Sequence, residues 1–135
     1  MTLIEASALT VVVLAGVYLL AFGAASLIVP TRANRFLLGF AGSQSVHYAE
    51  LLVRAVVGAA FVLHAPRLFL SGAFNLFGWV LLVTTAGLLL VPWQWHHRFA
   101  QQAVPRATRY IPLIGSASLV IGGFILVAVV RGSAA

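Results

Sequence analysis

From Ala8 to Val29 the chain runs for about 22 residues without one charged side chain. At 1.5 Å per residue such a helix covers a hydrocarbon core of roughly 30 Å. Pro30 closes the run, and Pro66 and Pro92 close two later ones. With 135 residues, 62% of them hydrophobic and 7% charged, and a mean hydropathy of +1.08, the chain has more apolar surface than one small soluble core can hide. The expected solvent is the bilayer.

The runs predict an all-α fold, a single-domain integral membrane four-helix bundle over 1–135, with spans at about 8–29, 46–65, 74–91 and 110–130. The second span has to begin before Arg54. Starting after it would leave only about eleven apolar residues before Pro66, too few to cross. The first run is also longer than the roughly 7–15 residues of a signal-peptide core, so it is expected to be a span of the mature protein. Between the spans, Phe36–Phe40 is too short to cross and is expected at the interface, with Ser43 or Ser45 capping the next helix.

Charge is sparse and one-sided: eight Arg, no Lys, no Asp, and only Glu5 and Glu50 as acids. The arginines are scattered singly, which argues against nucleic acid as a partner because phosphate tracking needs a continuous basic stripe. Lipid headgroups are the expected counter-charge for Arg32, Arg35, Arg98, Arg106 and Arg109, with Trp93 and Trp95 in an aromatic belt. By the positive-inside rule, the two connections holding these arginines are cytoplasmic and both termini extracytoplasmic. With no Cys, disulfides, thiolate metal sites and a Cys nucleophile are excluded.

The polar exception is Glu50-Leu-Leu-Val-Arg54. His47, Glu50, Arg54, Gly58 and Phe61 recur at steps of three or four and fall on one helical stripe. Glu50 precedes Arg54 in the favourable i,i+4 order, so an ion pair fixing helix register is the plainer reading. The functional reading is a small polar site of His47, Glu50, Arg54, His96 and His97 at the cytoplasmic end. Adjacent histidines on a helix diverge by about 100° and no HxxxH spacing occurs, so no metal site is expected. Neither a nucleophile triad nor a phosphate-binding glycine loop is present. Thr84 and Thr85 are expected to bond back to helix carbonyls. Small residues at Ala21 and Ala25, at Gly58, and at Ser118 and Gly122 offer faces for close helix packing.

Leu51-Leu-Val-Arg54-x-x-x-Gly58-x-x-Phe61, followed by Ala65-Pro-Arg-Leu-Phe69, resembles the Arg-x-x-x-Gly helix opening of DoxX-like small four-helix bacterial membrane proteins. The resemblance covers about twenty residues and is carried by Arg54 and Gly58. It implies a four-span protein, in some members a membrane subunit associated with quinone-linked sulfur redox chemistry.

The leading expectation is a non-enzymatic subunit of a bacterial inner membrane, assembling with itself as a homo-oligomer or with another membrane protein. Connections of about 20 residues cannot build a folded catalytic domain. The alternative is a quinone- or haem-linked redox subunit, or a small transporter, working through the polar cluster of the second span.

Overall fold

The computed structural model describes residues 2–39 and 44–134, although the side chains of His47, Trp93 and His96 lie outside the described part. Six α-helices form: α1 Leu3–Ile28, α2 Pro30–Gly39, α3 Gln44–His64, α4 Ser71–Leu90, α5 Trp93–Ala107 and α6 Ile111–Ala134. Four of them contain segments long and apolar enough to cross a membrane, Leu3–Ile28, Tyr48–Arg67, Ser71–Leu90 and Ile111–Gly132. The protein is a multi-pass membrane four-helix bundle. Its outer faces carry large apolar side chains, such as Leu76, Leu90 and Val120, as expected where lipid rather than water is the solvent.

The first span begins earlier than its apolar run suggests. Thr2 caps α1: its hydroxyl accepts from the Glu5 amide at 3.1 Å, and the Glu5 carboxylate accepts from the Thr2 amide at 2.8 Å. This is a capping box, and its Thr-x-x-Glu signature stands in the sequence. The box carries the helix past Glu5 to Leu3. At the other boundary α1 stops one residue short of Pro30, whose ring fits the first position of α2 instead.

Antiparallel neighbours build the bundle, with α1 packed against both α6 and α3, and α4 packed on the far side of α3. The α1–α6 seam is a contact of backbone on backbone. A Cβ at Gly23 would come within 2.7 Å of the Gly115 carbonyl oxygen, and one at Gly115 within 2.6 Å of the Ser26 Cβ. Real side chains do not tolerate such distances, so only glycine permits the approach. Further along, Gly122 lies against the Gly16 carbonyl, and Gly58 and Gly78 bring α3 and α4 together in the same way. Phe74 of α4 is sandwiched between Phe61 of α3 and Phe124 of α6, with centroids 5.8 and 5.7 Å away, both offset-stacking distances.

Of the small residues expected to pack helices, Gly58, Ser118 and Gly122 are buried, Ala25 is half-buried and Ala21 is exposed. The buried stripe of α1 is instead Ala8, Val12, Gly16, Gly23 and Ser26. Its closest approach needs a residue without a Cβ, so the glycine stripe faces the bundle and the alanines turn aside.

Each of the two longer connections contains a helix, α2 and α5, which the spacing of their polar residues did not announce. Along α2, Ala33 is buried and Phe36 packs its ring 5.9 Å from Phe22 and 6.3 Å from Tyr18, while Arg32 and Arg35 are exposed. In α5, Trp95 and Arg98 are exposed, as are Arg106 and, beyond the helix, Arg109. These helices lie against each other, which gathers the five arginines at one end of the bundle. The expected cap at Ser43 lies outside the described residues.

Replacing Gly115 by Leu should lower the unfolding free energy by on the order of 1–3 kcal/mol, the usual cost of overpacking. Gly123→Leu, where an added Cβ meets nothing within 4 Å, should leave it near wild type. Thermal melts of both variants followed by circular dichroism in one detergent check the difference.

Candidate functional site

Arg54 lies on α3 about 9 Å along the axis from Tyr48, inside the apolar span. Its guanidinium reaches across to α4, where Nε donates to Thr85 Oγ1 at 3.1 Å and Nη2 donates to Thr84 Oγ1 at 2.7 Å. The threonines can accept because their own protons point elsewhere: Thr85 donates to the Leu81 carbonyl at 2.6 Å and Thr84 to the Val80 carbonyl at 2.8 Å. Such back-bonding to the preceding turn is what mid-span threonines are expected to do. Here it also orients two hydroxyl lone pairs toward a cation.

The expected Glu50–Arg54 ion pair does not form; among the described residues the only ion pair is Arg67–Glu5, at 3.0 Å. Arg54 is turned toward α4 because the Gly58–Gly78 contact brings that helix close enough for two hydrogen bonds. One turn away, Glu50 is half-buried. A guanidinium offers five N–H donors, and Arg54 uses two of them on the threonines. Its other donors have no partner among the described residues.

The rest of the predicted polar cluster is less fully placed. His97 is half-buried on α5, whereas the side chains of His47 and His96 lie outside the described part. No group of three or more His, Cys, Asp or Glu able to hold a metal ion occurs among the described residues.

A second polar cluster, unforeseen as a site, occupies the opposite end. Glu5 divides its carboxylate, one oxygen closing the α1 capping box and the other accepting from Arg67 Nη2 at 3.0 Å. Arg131, at the end of α6, lays its guanidinium 4.9 Å from the centre of the Phe69 ring, within cation–π range. His64, only 4% exposed, and both arginines line an open cleft of about 910 Å³ between the α3–α4 link and the end of α6. Topology groups Glu5, Arg67 and Arg131 at this end, so the sequence carried half of the signal. What it lacked was the folding of the link over α6, where the Phe69 amide donates to the Ala128 carbonyl at 3.2 Å.

Removing the threonine hydroxyls should weaken the α3–α4 contact through Arg54 and not independently of it. A double-mutant cycle of Arg54→Leu with Thr84→Val/Thr85→Val should give a coupling of about 0.5–2 kcal/mol, the range of polar contacts between membrane helices. Reversible unfolding in mixed micelles provides the measurement, and additive effects would mean that the bonds do not hold the helices together. A scan against protein-family models, a search of curated proteins and a search of solved structures each found no match to the chain.

Proposed function

We propose that this protein is a non-enzymatic integral membrane subunit that assembles, across the α3–α4 face, with a second membrane protein or further copies of itself. The observation carrying this reading is Arg54, a cation inside an apolar span with no carboxylate within ion-pair distance among the described residues. A charged side chain inside a span is costly, by up to about 2.5–3.5 kcal/mol at its centre on insertion scales, and a polar contact between membrane helices returns roughly 0.6 kcal/mol on average without cancelling the charge. Two threonine bonds therefore do not offset the charge, and an acid from a partner helix would. The glycine faces of α1 and α6 are spent on each other within the chain. Assembly is thus assigned to α4, whose outward residues include Leu76, Trp79, Val80 and Val83.

Light scattering after extraction in several mild detergents should give a mass that is a multiple of 14.3 kDa, or one that includes a copurifying protein. Arg54→Gln should shift the wild-type species toward the monomer. A monodisperse 14.3 kDa wild-type monomer in every detergent would overturn the proposal, and a Soret band or co-extracted quinone would favour the redox alternative.

We also place the protein in a bacterial inner membrane with the arginine-rich α2–α5 end in the cytoplasm, on the strength of the positive-inside rule. The chain has no cysteine, so single-cysteine variants report sidedness directly. An impermeant maleimide added to intact cells should label Ser71→Cys, and should label Gln102→Cys only after permeabilisation. The reverse pattern would invert the orientation.

A further inference from the structure

The geometry points to a phosphate-binding site in the cleft at the end of the bundle opposite the arginine-rich helices. Four independent features converge there. The first is charge: Arg67 and Arg131 both line the cleft, and Glu5, bonded to Arg67, is the only carboxylate paired with either of them among the described residues. One positive charge is left over. Arg131 forms no hydrogen bond among the described residues, and its face is occupied by Phe69. A guanidinium stacked on a ring keeps its N–H edge free for planar, bidentate contact with an oxyanion.

The second feature is the start of α4, a helix of 20 residues whose first two, Ser71 and Gly72, line the cleft. Its cap position is Leu70, which has no side-chain acceptor to offer. The Ala73 and Phe74 amides bond back to the Leu70 carbonyl at 3.1 and 3.3 Å, whereas the Ser71 and Gly72 amides have no partner among the described residues. Orphan amides at the positive end of a helix dipole are suited to an anion. An added Cβ at Gly72 would meet nothing within 4 Å, so the approach to these amides is open.

The third is His64, buried to 4% exposure yet lining the cleft, with no hydrogen bond to either ring nitrogen among the described residues. Neither ring nitrogen is a buried unsatisfied atom, so the imidazole opens to the cleft and can donate to a group held there. The fourth is Leu70, at φ 59°, ψ 50° the only described non-glycine residue with a left-handed backbone. That conformation costs a bulky side chain about 1–2 kcal/mol, and such strain tends to persist at binding sites. Here it tips the chain so that α4 starts facing the cleft.

Arg67 and Ser71 stand at the ends of membrane spans, so the site lies at headgroup level. Leu9 and Leu68 add apolar walls. The shared chemistry is a phosphate group, presented either by an anionic lipid or as free phosphate.

The test uses the full chain in phosphatidylcholine nanodiscs, with phosphatidic acid and inorganic phosphate as probes and native mass spectrometry as the readout. One phosphatidic acid should be held about tenfold or more tightly than phosphatidylcholine, and Arg131→Gln should lose that preference. Gly72→Leu, which fills open space without touching the fold, should lose it as well while melting like wild type. Displacement by inorganic phosphate identifies the free anion as the ligand, and persistence against it identifies the lipid. Equal retention of both lipids by wild type, or unchanged affinity in a folded Gly72→Leu variant, would overturn the site.

Discussion

The contact on which the structure depends is the approach of α1 to α6 at Gly23 and Gly115, where neighbouring atoms leave no room for a Cβ on either side. In a bilayer, burying an apolar side chain against another helix gains little over burying it against lipid. Helices then adhere where their backbones come close enough for dense van der Waals contact. The glycines of α1 and α6 provide that contact over several turns, and Gly58 with Gly78 provides it between α3 and α4. The Phe61–Phe74–Phe124 stack ties these two pairs to each other. Because α1 and α6 are antiparallel, the seam also brings the first turn of the chain and its last helical turn to the same end, where Glu5, Arg67 and Arg131 meet.

The imbalance of eight arginines against two glutamates shapes how polarity is handled. Direct neutralisation can serve few of the cations, and one pair, Arg67–Glu5, is made among the described residues. The others are met by different chemistry. At one end α2 and α5 hold four arginines outward, with Arg109 exposed just beyond α5. Arg54, inside the span, is held by threonine hydroxyls, and Arg131 rests on an aromatic face. Hydroxyls and rings orient a cation without cancelling its charge, so Arg54 and Arg131 are held in place and keep theirs.

Glu5 shows how one residue can join local and tertiary structure. Its carboxylate closes the capping box that starts α1 and also fixes Arg67 on the link after α3. The link itself turns on Leu70 and not on the Ser71-Gly72 pair that its composition would nominate. Both of those residues are already helical, and the left-handed position falls where the Phe69 amide is anchored to the end of α6.

The sequence by itself determined the class of fold and its solvent. Apolar runs of about twenty residues, closed by prolines, leave a helix as the natural way to cross a bilayer, and the four spans follow within a few residues. The back-bonding of Thr84 and Thr85 was legible for the same reason, being a property of one helix. The Thr-x-x-Glu signature of the α1 capping box also stands in the sequence, but the apolar run beginning at Ala8 draws the expected boundary inward, past it. Tertiary structure decided which partner each polar group meets. Spacing makes Glu50 the neighbour of Arg54 along α3, but the approach of α4 at Gly58 and Gly78 offers two hydroxyls across the helix pair instead. Similarly, His64, Arg67, Ser71 and Arg131 belong to separate segments, and only the folding of the link onto α6 makes them one cleft. Periodicity describes the faces of a single helix; which faces meet is set by where the backbones can come closest.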